Sequence, residues 1–291
     1  MEEAIKINND GVRHFMNRRF DEAEQCYEEA LRMNPESATV LNNMGLLYHQ
    51  RKQFDKAVSY FEMALNIEEK DTYYVNAGNA MASMKQFGQA EEQYIRALEL
   101  NSKSIKAAES LANMYEYQGK TTEASTYWSK LVSETGDAKY YFLYARNLIK
   151  QEKFREALDI LYNYSSREQS ATWYMIGICE YQLRNFGSAA DALKQALAID
   201  PDSEEIRHYL SVVYLASGQT GDAIMQLDKL INISPQNHHF LTEKGVILLS
   251  RNMIKEALEL FEKSLIIDPG FQKALKYRDM ALKLLEDSGE N

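Results

Sequence analysis

Proline and cysteine are scarce in this chain of 291 residues, at 4 Pro and 2 Cys. Cys26 and Cys179 lie far apart and in no metal-ligand spacing, which fits a reducing compartment and no disulfide framework. No apolar run approaches the roughly 18 residues that a membrane span needs, so no membrane insertion is expected. The first ten residues, MEEAIKINND, have neither a basic n-region nor an apolar h-region. Positive charge is also in deficit, with 33 Lys and Arg against 43 Asp and Glu and a formal net charge of -10. That balance argues against nucleic acid as a partner, because phosphate contacts need a basic stripe, and against an anionic membrane surface. HExxH, GxGxxG and GxxxxGK[ST] are all missing. His238 and His239 are adjacent, so on a helix they point about 100° apart and make a poor metal pair. The expectation is a cytoplasmic protein that is not an enzyme and has no cofactor and no metal. A hydrophobic fraction of 45% is nonetheless enough for a folded chain.

What is present is a repeat. Ala23, Ala57, Ala90, Ala124, Ala157, Ala189, Ala223 and Ala257 follow one another at intervals of 32 to 34 residues. Twelve residues before each stands a small residue: Gly11, Gly45, Gly78, Ala112, Ala145, Gly177, Ser211 and Gly245. Four residues after each stands a large apolar one: Tyr27, Phe61, Tyr94, Trp128, Leu161, Leu193, Leu227 and Phe261. Spacings of three and four are helical, and the charged stretch between, such as QRKQF, reads as a turn. Each unit is therefore two antiparallel helices, A and B. The reading places the Gly of A against the Ala of B, with the aromatics filling the space beside that contact. One pair cannot cover its own apolar face, so the next pair stacks on it. All 4 Pro, at 35, 201, 235 and 269, fall twelve residues after a repeat Ala, where helix B must end.

This pattern resembles the tetratricopeptide repeat family, in the period, the small positions, the aromatics and the Pro. The resemblance implies an all-α fold, a right-handed superhelix with helices A lining its concave face. It covers residues 4–271 as repeats at 4–37, 38–70, 71–104, 105–137, 138–169, 170–203, 204–237 and 238–271, followed by a C-terminal capping helix over 272–287. There are departures. The usual Trp at the fourth position of a unit occurs once, as Trp173. Leu131, Tyr164 and Leu230 replace a small residue late in helix B, and NYSSREQS replaces the boundary at 163–170. Altered curvature or a hinge is expected around 132–138 and 163–170.

In this family the groove is lined by positions 2, 5, 6, 9, 12 and 13 of helix A, counted from the start of each unit. Positions 6 and 9 of the first four units hold Asn9, Asn43, Asn76, Asn79 and Asn113, with Asn42 at a position 5. Asn is unfavourable inside a helix, and its amide can both donate to and accept from a peptide backbone. The row looks like the asparagine ladder of the repeat region in O-linked N-acetylglucosamine transferases. Lys106, Lys139 and Arg146 form a weaker positive spot for an acidic group. The charged clamp of chaperone-binding repeats is matched only at Asn43. Farther on, the groove positions turn apolar, at Phe142, Leu143, Tyr174, Met175, Ile178, Tyr209 and Val212. Apolar groups on a concave face mark a partner site, or close against a neighbouring helix. The leading expectation is a protein-interaction scaffold that binds an extended peptide or partner helix. The alternatives are self-assembly into a homo-oligomer and a regulatory module for an enzyme on another chain.

Overall fold

The computed structural model describes residues 2–164, 166 and 168–288. Among the described residues there are 17 α-helices and no strand, so the fold is all-α. Packing divides the chain into two compact units, Met1–Gln151 and Glu152–Asn291. Unit 1 contains α1 (Glu2–Met16), α2 (Phe20–Met33), α3 (Ala38–Gln50), α4 (Phe54–Ile67), α5 (Asp71–Ser83), α6 (Phe87–Leu100), α7 (Ile105–Tyr117), α8 (Thr121–Thr135) and α9 (Ala138–Lys150). Unit 2 contains α10 (Phe154–Tyr164), α11 (Ser170–Gln182), α12 (Phe186–Ile199), α13 (Glu204–Ala216), α14 (Thr220–Ile233), α15 (His238–Ser250), α16 (Ile254–Ile267) and α17 (Gln272–Ser288). Within each unit an A helix packs on the B helix that follows it, as α3 on α4 and α11 on α12, and each such pair packs on the next.

The small residue of helix A lies against the large side chain of helix B. A Cβ added to Gly45 would lie 2.5 Å from Cε1 of Phe61. Gly11 meets the ring of Tyr27 at 2.6 Å, Gly78 that of Tyr94 at 2.5 Å, and Gly245 that of Phe261 at 2.6 Å. The ring of helix B therefore lies directly on the glycine, and at Gly177 the repeat Ala also comes close, its carbonyl oxygen 3.4 Å from an added Cβ. These rings are almost completely buried. Burial of each stabilises the hairpin by about 1.5–3 kcal/mol. Gly177 is the exception in kind, because its neighbour is the branched, flexible Leu193, whose Cγ stands at 2.7 Å.

The A-to-B turns share one backbone device. Arg18, Lys52, Lys85, Glu152, Arg184 and Asn252 have φ of 59–62°, and Gly119 and Gly218 have φ of 73° and 80°. With the chain reversed there, Lys52 N–H donates to His49 O at 3.0 Å and Gln53 N–H to Tyr48 O at 2.9 Å. The bonds occupy carbonyls that the end of a helix leaves without a partner. Left-handed backbone costs a side-chain-bearing residue on the order of 1 kcal/mol. Six turns accept that cost, so helix packing rather than local preference sets their shape.

The irregular positions are accommodated individually. Leu131 and Leu230 are fully buried, whereas Tyr164 turns outward and is 52% exposed. Helix α10 has 11 residues against 14 in α2, and α8 ends at Gly136 with φ of 63°. Residues 165 and 167, within the stretch where a hinge is expected, lie outside the described residues. At the end of unit 2, Ala274 and Ala281 bury α17 against its neighbours, and Tyr277 stacks on Phe261 with ring centroids 6.0 Å apart.

Candidate functional site

The amide row lies on the A helices of unit 1. Asn43 on α3 donates from Nδ2 to Oδ1 of Asn8 on α1 at 2.9 Å. Asn76 on α5 repeats the contact to Oδ1 of Asn42 on α3 at 2.8 Å. The two acceptors, Asn8 and Asn42, are buried, and the two donors are half-buried. Each donor keeps its own carbonyl oxygen without a partner among the described residues. The row thus braces one repeat to the next, and also presents acceptors along the same face. Asn9 is exposed and receives a long bond of 3.5 Å from Asn8. Sequence reading found these positions but not their mutual bonds, because positions 5 and 6 of successive repeats meet only when the helices stack.

Asn79 and Asn113 stand on either side of an open cavity of about 470 Å³ in unit 1. Asn79 accepts at Oδ1 from the hydroxyl of Tyr94 at 2.8 Å and from that of Ser110 at 3.3 Å. Burial pushes the Tyr94 hydroxyl up to about 12, so it stays a donor. Asn113 is exposed and has no hydrogen-bond partner among the described residues. Lys85, Phe87 and Tyr117 complete the rim, the two rings tilted with centroids 5.6 Å apart. Tyr117 is 69% exposed. Sequence reading missed Lys85, Phe87 and Tyr94 because they belong to the turn and to helix B, outside the groove positions of helix A.

The cations at Lys139 and Arg146 are engaged within the fold. Lys139 Nζ lies 2.6 Å from Glu109, and Arg146 lies 3.1 Å from Glu116. Glu116 also takes Lys150 at 3.0 Å and the indole N–H of Trp128 at 3.0 Å. Burial pushes the Glu116 carboxyl up, but these donors outweigh it and hold it below its ordinary value. Lys106 is exposed, and its charge helps to lower Asp71.

The apolar candidates divide between the units. Phe142 and Leu143 lie half-buried on α9 of unit 1, where Leu143 packs against the core that holds Trp128. Tyr174, Met175, Ile178, Tyr209 and Val212 lie on α11 and α13 of unit 2. Met175 is 7% exposed and is therefore a core residue. Tyr174 meets Tyr209 edge-on with centroids 5.7 Å apart, and Tyr181 meets Tyr209 at 5.5 Å. The Tyr174 hydroxyl donates to Glu205 at 3.0 Å. Ile178 and Val212 are half-buried on α11 and α13.

Unit 2 also holds an ionisable pair that sequence reading did not single out. His208 Nε2 on α13 lies 2.7 Å from Glu243 on α15. The bond to Glu243 raises His208 above its ordinary value of 6.5 despite burial. Burial acts to raise Glu243, but the bond to His208 and the charges of Lys273 and His239 leave it lowered. Cys179 is fully buried, and burial pushes its thiol up to about 12, which suits packing rather than nucleophilic attack. Among the described residues no group of three or more His, Cys, Asp or Glu could hold a metal ion. None of their helices is long and apolar enough to cross a membrane.

Models of the tetratricopeptide repeat match residues 11–70, 36–103 and 180–242, together more than half of the chain. The chain belongs to the tetratricopeptide repeat family. A further family model, for subunit 3 of the anaphase-promoting complex or cyclosome, matches the repeats at residues 118–196. A tetratricopeptide-repeat-containing protein of Methanocaldococcus jannaschii is 25% identical over 180 residues, covering 58% of this chain and 32% of the relative. The BBSome complex member BBS4 of Bos taurus is 28% identical over 139 residues, covering 45% of this chain and 25% of the relative. The chain thus spans about a third or less of the length of these two relatives. Among solved structures, a repeat protein from Cytophaga hutchinsonii has a TM-score of 0.53 at 16% identity, covering 92% of this chain and 98% of that one. The Cut9–Hcn1 hetero-tetramer of the anaphase-promoting complex gives 0.51 at 14% identity, covering 94% of this chain and 55% of that one. These last two likenesses show the tetratricopeptide-repeat fold.

Proposed function

We propose that the chain is a non-catalytic scaffold for protein–protein interaction, which holds an extended peptide or partner helix along its A helices. Residues 4–271 supply the groove as eight repeats, and 272–287 close the array. The observation that carries the reading is the row of Asn carbonyls in unit 1 together with the cavity between Asn79 and Asn113. Those oxygens would accept from the backbone N–H groups of a peptide whatever its side chains. Phe87 and Tyr117 offer an aromatic wall for one apolar side chain. Lys106 would take an acidic residue, whereas Lys139 and Arg146 would have to exchange their present carboxylates. Tyr174, Ile178, Tyr209 and Val212 would add apolar contacts in unit 2. Membership of complexes in the names of BBS4 and of the Cut9–Hcn1 assembly supports the same class of function. A cytoplasmic setting, where thiols stay reduced, suits the two free cysteines.

Affinity capture with wild type and with Asn113→Arg tests the reading. Asn113 is exposed and unbonded, so the longer side chain blocks the cavity without disturbing the fold. The expected result is a partner recovered by wild type and reduced about tenfold or more with the variant, at an unchanged melting midpoint. Equal recovery by both proteins would overturn the proposal.

A further inference from the structure

We propose that the outward face of α17 is a docking site for an acidic segment of a partner protein, so that this helix is more than the closing layer of unit 2. The proposal rests on the scaffold reading but uses other residues. Around the α17 axis, at about 100° per residue, Lys273, Lys276, Met280, Lys283 and Leu284 fall within one arc of roughly 100°. All five are exposed, Met280 at 51% and Leu284 at 37%. Asp287 is the one carboxylate in the same arc. None of the three lysines has an ion-pair partner among the described residues, although Lys273 contributes to the lowering of Glu243.

The patch is unusual in two respects. The chain as a whole is acidic, with a net charge of -10, and prominent cations elsewhere such as Arg51, Lys139, Arg146 and Lys150 are paired. Here three cations surround two exposed apolar side chains. Met280 also continues a row, because Val212 on α13 and Val246 on α15 occupy the same register and are half-buried. Packed helices stand about 8–10 Å apart, so apolar residues on successive A helices are separated by roughly that distance. Residues i and i+7 of a partner helix, about 10 Å apart, match it. Charge complementarity fixes the occupant as an acidic amphipathic helix. An anionic lipid surface fits less well, because the acidic remainder of the chain would be repelled from it.

The test uses the full chain and two synthetic 20-residue helical peptides. Both carry Leu at i, i+3 and i+7; one has Glu at the remaining positions and the other has Lys. Fluorescence anisotropy should show saturable binding of the Glu peptide, weakening as salt rises, and none of the Lys peptide. Lys273→Gln with Lys276→Gln and Lys283→Gln should reduce affinity about tenfold or more. Met280→Asp, an independent variant that leaves the lysines intact, should do the same. Melting midpoints should match wild type, since every altered residue is exposed. Undiminished binding by either variant would overturn the proposal, as would equal binding of the Lys peptide. Stronger binding to phosphatidylserine vesicles than to the Glu peptide would give the site to a membrane instead. A wild-type dimer in sedimentation that the triple variant abolishes would give it to a second copy. Loss of capture by Asn113→Arg alongside unchanged Glu-peptide binding by the lysine variants would leave the groove reading standing and remove this one.

Discussion

Units 1 and 2 fill the same register with different side chains, amides in one and mainly rings, aliphatic groups and an ion pair in the other. In unit 1, positions 6 and 9 hold amides that bond across repeats, Asn43 to Asn8 and Asn76 to Asn42. In unit 2 the corresponding positions hold Tyr209, which meets Tyr174 and Tyr181 edge-on, the half-buried Ile178 and Val212, and Glu243, which bonds across repeats to His208 as Asn43 does to Asn8. The hairpin layer beneath is built alike in both. Framework and face are therefore separable: glycine and the B-helix side chain set the hairpin, and the exposed positions of helix A are free to carry either chemistry. One hairpin differs in detail, since Gly177 meets Leu193 where Gly11, Gly45 and Gly78 of unit 1 and Gly245 of unit 2 each meet an aromatic ring.

That detail gives the largest expected effect. Gly45→Ala forces the buried Phe61 ring away from a Cβ at 2.5 Å, and should destabilise the protein by about 2–3 kcal/mol. Gly177→Ala should cost about 1 kcal/mol, because Leu193 can change rotamer where a wedged ring cannot. Denaturant melts of the two variants measure the difference, and equal losses would break the contrast. An intermediate effect belongs to the amides. Asn43→Ala with Asn76→Ala removes two bonds and leaves buried acceptors at Asn8 and Asn42, for a loss of about 1–3 kcal/mol. Asn113→Ala removes none and should stay within about 0.5 kcal/mol. Chemical denaturation of both variants sharpens the division between bracing amides and presenting ones.

The smallest effect is the pH dependence of the His208–Glu243 pair in unit 2. His208 is raised above 6.5, so its contribution is complete below that pH and fades as pH climbs through the raised value. Glu243 is lowered from 4.5, so its contribution is complete above that pH and fades as pH falls through the lowered value. The pair is at full strength between those two ordinary values. The contribution of this pair should decline by less than about 1 kcal/mol from pH 5.5 to pH 8, as befits a half-exposed pair, read as the difference between wild type and His208→Gln. His208→Gln should flatten the decline, and thermal melts across that range test it.

Some of this was legible in the sequence. The helical period and the small positions came directly from the Ala register, because close packing leaves few side chains that fit. That the ring meets the glycine was not legible, since Ala57 and Phe61 stand one turn apart on helix α4 and only the stacking of α3 on α4 decides how each faces Gly45. The left-handed turns were also hidden: six of the eight residues carry side chains, and glycine marks only Gly119 and Gly218. Lys139 and Arg146 read as free cations because Glu109 and Glu116 sit about one repeat earlier in the chain. Charges that far apart in sequence announce nothing until the repeats stack. The amides were found as a row for the same reason that their bonds were missed.

The bonds between repeats have a mechanical consequence. The side-chain hydrogen bonds Asn43 to Asn8 and His208 to Glu243 span 35 residues, about one repeat. Within either unit, tension along the backbone therefore meets only the resistance of the next hairpin, never that of a remote one. Pulled from its ends, the chain should yield in a sawtooth. Each tooth would release one period of 32 to 34 residues, about 110–120 Å of contour length.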